Sequence, residues 1–204
     1  MTELAWRWLG HAAYRDVYAE QRALRERVWA GAPGEVLLCE HPPVITLGKS
    51  ATPDNILDAG AVPVERIERG GQVTYHGPGQ LMIYPVVRIR GVVAFLEAIA
   101  DAIAQTCEVF GVTGARWRRE PAGVWLGEHK LAACGIHVSR GVAIHGFALN
   151  VATPPEAWRA IRPCGLDVPL ISLAQASGSP ITVAEVAREL GPRAVVAVRS
   201  PERV

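Results

Sequence analysis

The spacing of hydrophobic and polar positions along the chain predicts an α+β fold. Apolar residues at three- and four-residue steps predict a helix over residues 14–29 and a second helix that contains Phe95 and ends at Gly111. Shorter apolar runs between turn residues predict strands over 35–40, 44–47, 72–75, 81–87, 123–126, 130–138 and 142–151. Because most of these strands follow one another as hairpins, we expect a single domain with a mixed, largely antiparallel β-sheet flanked by helices.

The end of the chain is predicted to form a small appendage. Thr182 and Glu185 have the spacing of a capping box that opens a short last helix, and Gly191 with Pro192 is expected to end it. We therefore predict a main domain over residues 1–178 and a C-terminal strand-helix appendage over residues 179–204.

Composition excludes several classes of protein. The 204 residues carry a formal net charge of +1, which argues against a general nucleic-acid or membrane-binding surface. The most apolar stretch, 92–104, contains Glu97 and Asp101 and therefore cannot span a bilayer. No secretory signal is visible at the start of the sequence. Four widely spaced cysteines favour reduced thiols and a cytoplasmic location.

Residues 69–80, Arg-Gly-Gly-Gln-Val-Thr-Tyr-His-Gly-Pro-Gly-Gln, are the most informative segment of the sequence. Four of the twelve are glycine, which has no Cβ and lets the backbone press against a ligand. One interpretation is a β-hairpin with a turn at residues 77–79. The other is a wall on which a substrate lies flat against bare backbone.

Two polar residues are candidates for chemistry. Only two lysines occur among 21 basic residues, and one of them, Lys130, opens an apolar strand. It is either a strand-edge charge or a desolvated lysine that can act as a base. Cys164 lies between Pro163 and Gly165, which suits either an ordinary loop or a tight turn that presents the thiol.

Cys134 is a poorer partner for Lys130 than Cys164 is. Four residues along a regular strand span about 13 Å, so Lys130 and Cys134 cannot form a hydrogen-bonded pair. Cys134 and His137 are three apart and face opposite sides of a strand, so they cannot share a metal ion. His76 and His145 could meet in space but lack an evident third ligand, and we expect no metal.

Three separated motifs together resemble the octanoyltransferases of lipoate biosynthesis. They are the segment 69–80, the segment 130–151 with Lys-x-Ala-x-x-Gly and His-Gly-x-Ala-Leu-Asn-Val, and Pro-Cys-Gly at 163–165. The resemblance runs in order from about residue 35 to about residue 175. Cys134 and His137 depart from it, since such proteins often carry an aliphatic and a basic residue there.

The resemblance implies a fold shared with biotin and lipoate ligases and a catalytic acyltransferase domain with a cysteine/lysine pair. Cys164 would be the nucleophile that carries the acyl thioester, and Lys130 would lower its pKa or act as general base. The implied substrate-binding residues are Arg69, Gly70, Gly71, Gln72, Val73, Thr74, Tyr75, His76, Ala133, Cys134, Gly135, Gly146, Phe147 and Ala148.

The implied reaction moves an octanoyl or lipoyl group from an acyl-carrier-protein thioester to a lysine of a lipoyl domain, the first step of endogenous lipoate biosynthesis. The expected acceptors are the lipoyl domains of 2-oxoacid dehydrogenases and the glycine cleavage H protein. No ATP, metal or other cofactor is expected. The arginine clusters 22, 25, 27 and 116, 118, 119 are candidate docking patches for acidic protein substrates.

Three alternatives remain at this stage. An ATP-dependent lipoate or biotin ligase on the same fold would need groups for an adenylate and would leave the cysteine idle. A cysteine-dependent thioesterase would need a histidine base, which His76 or His145 could supply. A non-catalytic acyl-binding protein would not need Cys164.

Overall fold

The computed structural model describes residues 4–161 and 168–199. Within them the strands are β1 (Ala5–His11), β2 (Glu35–Glu40), β3 (Val44–Leu47), β4 (Val64–Arg66), β5 (Val73–His76), β6 (Gln80–Arg88), β7 (Ala115–Arg118), β8 (Gly123–Leu126), β9 (His129–Ser139) and β10 (Val142–Asn150). The α-helices are α1 (Tyr14–Trp29), α2 (Val92–Val109), α3 (Leu173–Ser177) and α4 (Val183–Arg199). Short 3₁₀ turns lie at Pro53–Asn55 and Pro155–Trp158.

The strands form two sheets. The larger has the order β1-β2-β6-β10-β9-β8-β7, in which only the β1–β2 pair is parallel. The smaller has the order β4-β3-β5, with β3 parallel to β4 and antiparallel to β5. The predicted α+β class with a mixed, largely antiparallel sheet is confirmed.

Helices cover both faces of the large sheet. Alternate residues of β2 and β6 point to opposite faces, as the two-residue period of a strand requires. Val36 and Leu38 pack in the same core cluster as α2 and α4, whereas Leu37 and Cys39 pack with α1. Both faces are buried, which explains why β6 and β10 are almost continuously apolar.

The predicted helix 14–29 and all seven predicted strands are present, with strand ends that shift by at most one residue. Sequence patterns missed β1, β4 and β7. β1 and β7 are the edge strands of the large sheet and β4 lies at an edge of the small one. Edge strands bury less surface, so their hydrophobic period is weaker.

The prediction that Gly191 and Pro192 end the last helix is wrong, because α4 continues to Arg199 with Pro192 inside it. The added turns bury Ala194, Val195 and Val198 in the core that also contains α2. This burial outweighs the hydrogen bond that a proline cannot donate. The predicted capping box is confirmed, since the Glu185 N–H donates to Thr182 Oγ1 at 3.3 Å and the Thr182 N–H donates to Glu185 Oε2 at 2.9 Å.

The division of the chain at residue 178 stays a prediction. The described residues beyond it, 179–199, contain α4 and no strand, and α4 contacts α2, β1, β2 and β6. Among the helices that the structure describes, none is long and apolar enough to cross a membrane.

Candidate active site

A cavity of about 150 Å³ opens between the glycine-rich segment, β9 and β10. This volume is far larger than a single water needs, so the cavity suits a ligand of many atoms. Twelve of the fourteen predicted substrate-binding residues line it, as does Lys130. The twelve are Arg69, Gly71, Gln72, Val73, Thr74, His76, Ala133, Cys134, Gly135, Gly146, Phe147 and Ala148. Their role as substrate ligands stays a prediction.

The other two predicted substrate residues are not part of the lining. Gly70 is tied to β9, since its N–H donates to the Ile136 carbonyl at 2.9 Å. Tyr75 packs with Ile45 and Val73 in the core of the small sheet, and its ring lies edge-on to Trp158 at 5.7 Å. The hairpin interpretation of the segment is wrong, because β5 pairs with β3 in the small sheet whereas β6 pairs with β2 and β10 in the large sheet. The interpretation of the segment as a wall for a substrate stays a prediction.

Two glycines of the wall have a steric reason. Gly71 has a φ of +82°, in the left-handed region that residues with a Cβ rarely adopt. At Gly146 a Cβ would lie 1.9 Å from the Ile83 carbonyl oxygen, so only glycine lets β10 approach β6 there. Larger residues at either position would distort the cavity.

Arg69 brings a buried positive charge to the cavity. Its Nη2 donates to the Thr46 carbonyl at 2.7 Å and to Thr46 Oγ1 at 2.9 Å, and its Nη1 donates to the Gly70 carbonyl at 3.0 Å. The guanidinium is thereby held rigidly on the small sheet. A fixed cation in a poorly solvated wall can stabilise a carbonyl oxygen that gains negative charge.

Lys130 is buried, with 5% of its surface exposed, although it lies near the start of β9. Its Nζ lies 5.5 Å from the centre of the Trp125 ring, within the range of a cation–π contact. Gly123 makes room for the side chain, because a Cβ there would lie 2.5 Å from Lys130 Cε. The interpretation of Lys130 as an exposed strand-edge charge is therefore wrong.

The backbone of Lys130 holds the chain segment that follows residue 167. The Lys130 N–H donates to the Pro169 carbonyl at 2.8 Å, and the Ile171 N–H donates to the Lys130 carbonyl at 3.2 Å. Leu170 thus runs parallel to the start of β9. Cys164 itself lies outside the described residues.

Burial raises the pKa values of the described cysteines, although Cys134 is only partly buried in the cavity wall. The pKa of Cys134 and of Cys107 rises to about 12, and the pKa of Cys39 rises further. The positive charge of Lys130 opposes this effect at Cys134 but does not overcome it. These three thiols are poor nucleophiles near neutral pH.

Three buried histidines at or next to the cavity are neutral near pH 7. His76 and His145 line the cavity, and His41 contacts Tyr14 and Tyr84, which line it. Burial is the largest cause of the neutral state, and it lowers the pKa of His41 to about 4 and those of His76 and His145 to about 3. The charge of Arg69 lowers the pKa values of His76 and His145 further.

Over residues 4–161 and 168–199, no group of three or more His, Cys, Asp or Glu side chains is arranged to hold a metal ion. Cys134 lines the cavity, whereas His137 contacts Glu68 and Lys49. His137 Nε2 lies 3.1 Å from Glu68 Oε2, and His137 Nδ1 lies 3.2 Å from Lys49 Nζ.

Known proteins identify the family. The model of the lipoyl protein ligase A/B catalytic domain matches residues 13–192. The chain belongs to this family. It is 40% identical over 193 residues to an octanoyltransferase of Geobacter metallireducens, covering 91% of this chain and 89% of that protein. It is 42% identical over 163 residues to an octanoyltransferase of Methylococcus capsulatus, covering 78% of each chain.

Solved structures agree on the fold. A putative lipoate protein ligase from T. acidophilum with bound lipoic acid superposes with a TM-score of 0.74 at 14% identity, over 97% of this chain and 86% of that one. The predicted lipoate-ligase-like fold of this lipoyl protein ligase A/B domain is therefore confirmed.

Sequence reasoning missed part of the cavity lining of this family member. Six further residues line it: Tyr14, Met82, Tyr84, Pro121, Ala122 and His145. The sequence predicted Tyr14 as part of the apolar face of a helix, and it placed Met82 and Tyr84 in a strand. A tyrosine hydroxyl inside such patterns was the available signal, because a buried hydroxyl needs a partner.

Each of the two arginine clusters of this domain has one member paired with a glutamate and two exposed members, which in the first cluster are Arg22 and Arg27. Arg25 is buried and pairs with Glu68 at 3.0 Å. Arg118 pairs with Glu128 at 2.8 Å and stacks on Trp125, while Arg116 and Arg119 are exposed. Trp125 also contacts Lys130, so the second cluster lies next to the cavity.

Proposed function

We propose that this protein transfers an octanoyl or lipoyl group from an acyl-carrier-protein thioester to a lysine amine of a lipoyl domain, through an acyl thioester on Cys164. The observation that carries the proposal is a buried lysine, Lys130, on an apolar cavity in a chain 40% identical to an octanoyltransferase. In this role the domain catalyses the first step of endogenous lipoate biosynthesis.

The chain connection supports Cys164 as the partner of Lys130. Pro169 is hydrogen bonded to the Lys130 N–H and lies five residues after Cys164. An extended chain of five residues spans at most about 18 Å, which limits how far the sulfur can be from the start of β9. Among the four cysteines, burial raises the pKa values of the other three.

The reaction proceeds in two exchanges. Lys130 holds Cys164 as a thiolate, by accepting its proton or by pairing with the anion, and the sulfur attacks the carbonyl carbon of the donor thioester. The carrier thiolate leaves and takes up the proton held by Lys130, and backbone N–H groups near Gly165 are proposed to hold the oxyanion. The acceptor amine then attacks the acyl-Cys164 carbon, loses a proton to Lys130 and releases the Cys164 thiolate.

No nucleotide is needed in this scheme. Exchange between two thioesters has almost no net free-energy change, and formation of an amide from a thioester is downhill. An ATP-dependent ligase would instead form an acyl-adenylate. Incubation with octanoyl-acyl-carrier protein without nucleotide, followed by intact-mass measurement, separates the two reactions, because only the transferase gains the mass of an octanoyl group.

Thioester hydrolysis is less well supported than acyl transfer, because neither His76 nor His145 is well suited to act as the general base. Both ring nitrogens of His76 already have partners, Gln80 Oε1 at 2.8 Å and Thr46 Oγ1 at 3.3 Å. The lowered pKa of His145 makes it a weak general base near pH 7. A thioesterase would release free octanoate in the absence of an acceptor, whereas the proposed transferase would accumulate its adduct.

We predict that Cys164→Ala abolishes the octanoyl adduct that intact-mass spectrometry detects in the wild-type protein. Cys107→Ala is the control, since that thiol is buried in the core of α2. It should retain the adduct. An intact adduct in folded Cys164→Ala would refute the assignment of the nucleophile.

The protein partners and the location follow from the same proposal. The donor is octanoyl-acyl-carrier protein, and the acceptors are lipoyl domains of 2-oxoacid dehydrogenases and the glycine cleavage H protein. Arg116 and Arg119 are exposed beside the cavity and suit an acidic donor. The cytoplasmic location stays a prediction.

A further inference from the structure

A line of buried hydrogen bonds connects the cavity wall to the backbone of Lys130. Thr46 Oγ1 accepts from Arg69 and lies 3.3 Å from His76 Nε2. His76 Nδ1 lies 2.8 Å from Gln80 Oε1. The two residues that continue this line, Gln80 and Asn150, were not among the predicted site residues.

Gln80 and Asn150 form an amide pair between the two central strands of the large sheet. Gln80 Nε2 donates to Asn150 Oδ1 at 3.0 Å, in line with the pairing of these residues in the β6–β10 register. Asn150 Nδ2 then donates to the Ile171 carbonyl at 3.4 Å. Both amides are buried, with 0% and 3% of their surfaces exposed.

The direction of every bond in the line is fixed by the Ile171 carbonyl. A carbonyl oxygen can only accept, so the Asn150 amide nitrogen must face it and the Asn150 oxygen must face Gln80. The Gln80 oxygen therefore faces His76, which makes His76 Nδ1 the protonated nitrogen. His76 Nε2 is then the acceptor for the Thr46 hydroxyl, as a neutral imidazole with a pKa lowered to about 3 requires.

Ile171 joins this line to Lys130. Its N–H donates to the Lys130 carbonyl at 3.2 Å, two residues after Pro169 accepts from the Lys130 N–H. Asn150 thus holds the same short segment that lies against Lys130. That segment follows residues 162–167 along the chain.

We propose that Gln80 and Asn150 are positioning residues that fix the segment 168–171 against Lys130 and so set the alignment of the Cys164 thiol with the lysine. The inference rests on the proposed Cys164/Lys130 reaction. Neither amide lines the cavity, so their effect would reach the chemistry only through the segment they hold. A misplacement of about 1 Å at a reacting group can cost about a hundredfold in rate.

The test compares Asn150→Leu, an uncharged residue of similar size, with Thr106→Val. Thr106 is also fully buried and also donates a side-chain hydrogen bond to a backbone carbonyl, that of Ala102 at 2.8 Å, but it lies in α2. Thr106→Val is therefore the matched control, because it also removes one buried hydrogen bond, but at a position away from the site. We expect Asn150→Leu to lower kcat at least tenfold and to leave KM for the octanoyl donor within about twofold.

The thiol supplies a second readout that a purely structural role would not change. We expect the rate of alkylation of Cys164 by iodoacetamide at pH 7, followed by mass spectrometry of the peptide that contains it, to fall about three- to tenfold in Asn150→Leu. The alkylation midpoint should move to higher pH. Thr106→Val should leave kcat and the midpoint unchanged, even where its melting temperature falls.

Gln80→Met replaces Asn150→Leu in the test if Asn150→Leu does not fold. It removes the hydrogen bond between Gln80 and Asn150, which is one bond further from Ile171. It should change kcat and the midpoint in the same direction but less. Wild-type kcat and midpoint in a folded amide variant would overturn the inference. Adduct formation in Cys164→Ala would instead refute the proposed reaction itself.

Discussion

At the scale of single residues, the most unusual group is His145. It has a φ of 59°, a left-handed conformation that is uncommon outside glycine, and its Nε2 is buried without a hydrogen-bond partner. Its ring stacks on Tyr18 at 5.2 Å, and its backbone N–H donates to Gln21 Oε1 at 2.8 Å. A strained, neutral histidine in a cavity wall makes stability sensitive to acid.

We predict that the protein loses stability as the pH falls from 7 to 5. The unfolded imidazole takes up a proton near its ordinary pKa of 6.5, whereas the folded His145, with a pKa lowered to about 3, does not. Stability from this group is therefore complete above pH 6.5 and is lost as the pH falls below it, by about 2 kcal/mol at pH 5.

Urea unfolding at both pH values, with wild type and His145→Asn, measures this contribution. Asparagine tolerates the left-handed conformation and does not titrate. The variant should lose about 2 kcal/mol less than wild type between pH 7 and pH 5. Equal losses would contradict a neutral, buried His145.

At the scale of elements, α4 shows how packing decides where a helix ends. Gly191 is fully enclosed, because a Cβ there would lie 2.3 Å from the Trp6 ring of β1. Its neighbour Pro192 is exposed. Gly191 and Pro192 together predict a helix end. In the structure Gly191 instead allows close packing against Trp6, whereas Pro192 is only tolerated.

We predict opposite effects at these two positions. Gly191→Ala should destabilise the protein by about 1–3 kcal/mol through overpacking against Trp6, despite the general advantage of alanine in helices. Pro192→Ala should stabilise it by about 1–3 kcal/mol, because it restores a backbone donor. Thermal or urea unfolding measures both, and stabilisation by Gly191→Ala would contradict the contact with Trp6.

At the scale of the whole molecule, the cavity exists only where two sheets and α1 meet. The small sheet supplies His76, the connection between β4 and β5 supplies Arg69, β10 supplies Ala148, and α1 supplies Tyr14. Each methylene of a ligand that is buried against apolar surface contributes about 0.8 kcal/mol to the free energy of binding. Under the proposed function, we expect the depth of the cavity to set the preferred length of the acyl chain.

We predict that a six-carbon donor reacts about fifteenfold more slowly than an eight-carbon donor, since two methylenes contribute roughly 1.6 kcal/mol. A ten-carbon donor should also be slower, because we expect the cavity to have a closed end that excludes longer chains. Ala148→Val should lower the rate with the eight-carbon donor more than the rate with the six-carbon donor. The ratio of these two rates, measured within one variant, is the internal control. Equal rates for all three donors would indicate an open-ended cavity.

The sequence by itself determined most of the elements, because the period of apolar residues records which face of each helix or strand is buried. It also brought out the glycine-rich segment and Lys130, whose residue types are unusual for their surroundings. The relation of Cys164 to Lys130 stays a prediction from motif and resemblance.

Tertiary structure alone decided which buried side chains face the cavity and which face the core. Tyr84 and Ile83 are both buried in β6, yet only Tyr84 lines the cavity. Gln80 and Asn150 are 70 positions apart, and only the register of β6 with β10 brings them together. Hydrophobic patterning is local, whereas hydrogen-bond partners and cavities depend on contacts between distant segments.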